Sequence, residues 1–124
     1  MNKNLALFYI FFVVTLSSCS FVDGEIKSFL KCGLAANQLG EHQAVEMISS
    51  KMKAYVNEEK IEGSARYVME LGQEVRDELD LYSKGLERQE YTLAKIYNSS
   101  KCLDMHEQEK IDMPFKYYLV YIFL

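Results

Sequence analysis

Ile61, Ala65, Val68, Gly72, Val75, Leu79, Tyr82 and Leu86 follow one another in alternating steps of four and three residues. That spacing puts them on one stripe of an α-helix, the pattern of a helix packed lengthwise against another. Off the stripe, Glu62 with Arg66 and Arg76 with Asp80 are opposite charges one turn apart, a mildly stabilising arrangement on a solvated face. Gly72 costs a helix about 1 kcal/mol against alanine, which a close approach of two backbones on the stripe could offset. The absence of tryptophan and the single proline against six glycines also favour helices over a turn-rich β fold.

The rest of the chain reads the same way. Ile26, Phe29, Leu30, Leu34 and Leu39 give a helical stripe from about Glu25 to Leu39, with Gly40 as its stop. Ala44, Val45, Ile48, Met52, Tyr55 and Val56 share one face of a helix from about Glu41 to Val56. The polar stretch 57–60 is a connection, and Gly85 breaks or bends the long seam. A last helix, from about Leu86 to Met105, turns Leu93, Ile96, Tyr97 and Leu103 inward. The expected fold is all-α: a bundle of about four short helices joined by short loops.

With 124 residues the chain has room for one small domain. Its 49% hydrophobic and 26% charged content is that of a globular protein. The net charge of −4 without a Lys/Arg cluster argues against nucleic acid as a partner, because phosphate neutralisation supplies most of that affinity. It argues equally against peripheral binding to anionic lipid.

The first residues are of another kind. After Lys3, the run from Leu5 to Leu16 is unbroken and apolar, yet much shorter than the ~20 residues a membrane-spanning helix needs. A basic start, a short apolar middle and small residues next to a cut define a signal peptide. Leu16-Ser17-Ser18-Cys19 resembles the lipobox of bacterial prolipoproteins. The resemblance covers only this first segment. It implies cleavage between Ser18 and Cys19, a diacylglycerol thioether on Cys19 and acylation, such as by palmitate, of the freed amine. Ser20 at the next position is compatible with sorting to the outer membrane. Since each buried methylene contributes about 0.8 kcal/mol, two or three acyl chains would hold the protein on the membrane for practical purposes permanently. The domain limits expected are a signal peptide over 1–18, a lipidated tether with turn character at Asp23-Gly24 over 19–24, a helical domain over 25–112 and an apolar tail over 113–124. A product starting at Cys19 carries 13 basic and 18 acidic residues, net −5.

Three cysteines is an odd number for an exported protein. If Cys19 is acylated, Cys32 and Cys102 remain as one candidate disulfide in an oxidising compartment; two separate buried thiols are the alternative. The tail from Met113 is almost wholly apolar or aromatic after Pro114. Docking on the bundle, lying in the membrane interface and an abnormal end of the reading frame are its three readings.

Signals for chemistry are weak. Cys102 and His106 lie one helical turn apart, with Asp104 and Glu107 close by, and could share a soft metal ion if further ligands converged. No Gly-rich phosphate loop, nucleophile-elbow motif or His-Glu-x-x-His is present. The expected role is therefore that of a non-enzymatic, cofactor-free interaction protein of the cell envelope, lipid-anchored with its domain in the periplasm. Immunity proteins and the exclusion proteins of conjugative elements are of this type. The heptad seam would also allow self-association. The alternative is a metal or small-ligand carrier using Cys102 and His106.

Overall fold

The computed structural model describes the backbone of residues 3–113 with Leu119 and Ile122, and side chains from Phe21 onward. Among these residues the protein is a small all-α bundle: α1 (Lys3–Gln38), α2 (His42–Glu58), α3 (Ser64–Leu79), a 3-10 turn (Leu81–Ser83), α4 (Leu86–Tyr97) and α5 (Ser100–His106).

α1 is the central element and packs against every other helix. Its buried stripe is Ile26, Phe29, Cys32, Ala35 and Ala36, at helical spacing. Small residues at Ala35 and Ala36 let neighbouring helices come close. Asp23 and Gly24 lie inside α1, where a turn was expected; Ser28 Oγ donates to the Gly24 carbonyl at 2.9 Å. Continuing a helix adds one hydrogen bond per residue fixed, so an Asp-Gly pair need not stop one that is already running.

α1 ends as its sequence indicates. Gly40 takes a left-handed φ of 76°, and the Glu41 N–H reaches back to the Ala36 carbonyl at 2.9 Å. This glycine cap turns the chain so that α2 doubles back along α1 as a helical hairpin. α2 buries Ala44 and Ile48 and packs Val45, Met52 and Tyr55 against the core.

The long seam does not survive as one helix. α3 ends at Leu79, Asp80 turns left-handed with φ 43°, and Tyr82 and Leu86 are 96% and 78% exposed. Ser83 Oγ donates to the Asp80 carboxylate at 2.6 Å and Lys84 Nζ donates to the Leu79 carbonyl, so the corner satisfies helix-end groups itself. The chain must reverse here to lay α4 on α1, and the apolar period overruns the turn by one heptad. The charge pairs differ from those expected: Arg66 pairs with Glu70, and Arg76 donates to the neutral Gln73, because Glu62 precedes α3 and Asp80 has left the helix.

The expected last helix is likewise two. α4 stops at Tyr97 and Ser99 begins α5 as its N-cap, its Oγ accepting from Cys102 N–H at 3.3 Å. The main core joins Phe29, Cys32, Ala35, Ala36, Ala44, Ile48, Leu93, Tyr97, Cys102 and Met105 from α1, α2, α4 and α5. Leu71 and Val75 of α3 are buried outside that cluster, so α3 forms a side layer on α1.

Candidate functional site

Cys32 on α1 and Cys102 on α5 stand at disulfide distance, their Cα atoms 5.5 Å apart. Both are buried, 1% and 2% exposed, inside the main core. The Ser99 cap sets the start of α5 and thereby places Cys102, while Lys101 paired with Glu25 at 2.8 Å holds that helix to α1. On the other side Lys51 of α2 donates to the Asp104 carbonyl at 2.8 Å and pairs with Glu107 at 3.2 Å. The cysteines thus meet at a junction pinned from two directions.

His106 is fully buried and stacked on Tyr97, ring centroids 4.1 Å apart. Gln108 N–H donates to Nδ1 at 2.9 Å, which leaves the ring proton of the neutral imidazole on Nε2, 3.1 Å from the Tyr97 carbonyl. Both ring nitrogens are therefore used in tying the end of α4 to the chain beyond α5. With the Cys102 sulfur facing Cys32, the two side chains proposed from sequence as metal ligands are engaged elsewhere. Among the described residues no three of His, Cys, Asp and Glu are grouped to hold a metal ion. Burial raises the Tyr97 phenol above its ordinary pKa, with Glu41 adding to the effect.

Asn98 is a clamp that the sequence reading missed. Its side-chain amide exchanges two hydrogen bonds with the Ile111 backbone, both 2.9 Å, and so holds the stretch after α5 against α4. No local pattern could have flagged it, because the backbone it bonds lies 13 residues further along the chain.

Two surface clefts stand out among the described residues. One, of about 460 Å³, lies between Leu39, Leu86, Leu93 and Ile111 and has several polar and acidic walls. The other, of about 290 Å³, is floored by Phe29, Leu30, Gly33 and Leu34 of α1 and walled by α2 and α3, with Asn37, Ser49 and Arg76 supplying its polar groups.

The backbone of Cys19 runs within α1; its side chain and those of Ser17 and Ser18 lie outside the described residues, as does most of the 113–124 tail. Leu119 and Ile122 of that tail are exposed. Among the described residues no helix is long and apolar enough to cross a membrane. No family model matches this chain, and no curated protein or solved structure matches it.

Proposed function

We propose that the chain is a lipoprotein of the bacterial cell envelope, anchored through Cys19 after cleavage at Ser18, whose helical domain acts as a non-catalytic interaction module. One observation carries this reading. Cys32 and Cys102 face each other, which accounts for two of three cysteines and leaves Cys19, the one inside Leu16-Ser17-Ser18-Cys19, as the odd thiol. An internal disulfide also suits an oxidising compartment outside the cytoplasm.

The interaction role is supported by what the polar groups do. The buried His106, the half-buried Asn98 and the exposed Ser99 all bond backbone, and surface charges pair between helices. These are the bonds of a rigid scaffold that offers a surface. Self-association and an outer-membrane address, given Ser20, belong to the same proposal.

The test is metabolic labelling with an alkyne palmitate analogue in a bacterial host, followed by membrane fractionation. Wild type is expected to take up label and to sediment with membranes. Cys19→Ser should lose both, and Cys32→Ser should keep both. Label retained by Cys19→Ser would overturn the proposal. Crosslinking in the native host, followed by pull-down, tests the interaction role; recovery of no partner and no second copy would contradict it.

A further inference from the structure

We propose that the groove between α1, α2 and α3 binds a single aliphatic chain ending in a carboxylate, the tail lying on α1 and the headgroup meeting Arg76. The walls supply the apolar part of this recognition: Phe29, Ile48, Met52 and Val75 line a space of about 290 Å³, near the lower end of the ~300–1,000 Å³ common for small-ligand clefts. Its floor runs along α1 from Phe29 to Asn37, about 12 Å at the helical rise. An extended chain advances ~1.2 Å per bond, so roughly ten carbons span that length.

The polar groups supply the other end. Arg76, Ser49 and Asn37 at the groove can all donate hydrogen bonds, and the groove's lining includes no acid. Three of the acids of α3 are paired with other cations, Glu70 with Arg66, Glu74 with Lys27 and Glu78 with Lys27 and Lys31, while Asp77 accepts from the neutral Gln73. Among the described residues the Arg76 side chain bonds only the neutral Gln73, at 3.2 Å. A guanidinium beside an apolar slot is matched by a carboxylate that can take two of its N–H groups.

Gly72 is the independent observation. Its place on the seam suggested a close approach of backbones, yet a Cβ built there meets nothing within 4 Å. Packing within the chain therefore does not offset its helix cost. Gly33 on the floor would bring a Cβ to 3.7 Å from Ile48 Cγ2 and no nearer to anything else. The absence of side chains at these two positions keeps the groove open.

The test is calorimetric titration of the full-length protein with sodium decanoate, 1-decanol and decyltrimethylammonium, each below its aggregation concentration. Decanoate is expected to bind saturably, one per chain, and at least about tenfold more tightly than either other probe, as expected where a charge-assisted bond is made. Arg76→Gln should bring decanoate down to the level of decanol, and Gly72→Leu should abolish binding. Should Gly72→Leu fail to fold, Arg76→Gln decides alone, since that side chain is exposed. Cys19→Ser should bind as wild type does, which separates this site from the anchor. Absence of saturable decanoate binding, equal binding of the cation, or unchanged binding in Arg76→Gln overturns the proposal. So does a dimer that Gly72→Leu dissociates and decanoate does not, which would make the groove a self-association surface.

Discussion

Cys32 and Cys102 face each other with Cα atoms 5.5 Å apart although 70 residues separate them in sequence. The junction fastens α5 to α1 and encloses α2, α3 and α4 in one covalent loop. In the chain-entropy view a loop of that size contributes about 4 kcal/mol. Urea unfolding of the oxidised protein against Cys102→Ser is expected to show a loss of about that amount. Addition of a strong reductant should lower wild type to the level of the variant. Equal stability of the oxidised protein and the variant would show that the sulfurs are not joined.

His106 fills a sealed site with both nitrogens bonded to backbone and its face on Tyr97. Truncation leaves the Tyr97 carbonyl and the Gln108 N–H without partners and opens a cavity. His106→Ala should therefore cost about 3 kcal/mol in chemical denaturation. A loss under about 1 kcal/mol would mean that the ring is not held as described.

Tyr55 presents the opposite case. Its hydroxyl is buried with no hydrogen-bond partner among the described residues, while its ring packs 5.8 Å from that of Phe29. Burial, with Glu59 and Glu25 adding to it, raises the phenol's pKa. Tyr55→Phe keeps the packing and removes the unsatisfied group, so the melting temperature should stay level or rise, by up to about 1 kcal/mol in stability. A clear drop would reveal a partner for that oxygen.

Lys27 of α1 reaches Glu74 and Glu78 of α3 at 2.7 Å each, and Lys31 reaches Glu78 at 3.1 Å. Hydrogen bonds from Lys27 and then Lys31 hold the Glu78 carboxyl below its ordinary pKa. Bonds to Glu74 and Glu78 raise that of Lys27. A depressed acid contributes stability above its unfolded value, ~4.3, and loses it as pH falls through the folded value. A raised lysine contributes below its unfolded value, ~10.4, and loses it as pH rises further. Melting curves of wild type and Glu78→Gln should therefore differ at neutral pH, and converge in acid as Glu78 protonates. A gap that persists undiminished at pH 2 would assign it to packing instead of charge.

The parts of the fold that periodicity could carry were legible. Ile26, Phe29, Ala44, Ile48, Leu93 and Tyr97 face inward as their spacing implies, and Gly40 ends its helix. The corner at Asp80 was not, because apolar residues keep their period through a turn whose cause is the need to return α4 to α1. The break at Asn98 was hidden for a related reason: a serine cap and an asparagine clamp are single-residue signals inside an otherwise helical pattern. Cys32 with Cys102 was reached by counting, and the count said nothing of the groove beside Gly72. That space depends on how α2 and α3 flank α1, which no local pattern encodes.

Whether Cys19 is the lipidated first residue is decided by the intact mass of the protein extracted from bacterial membranes. The expected mass is that of a chain beginning at Cys19, heavier than its peptide by a diacylglyceryl group and an acyl chain, with two fewer hydrogens for the Cys32–Cys102 bond. A mass that retains Met1, or a chain beginning elsewhere with an unmodified Cys19, would contradict it.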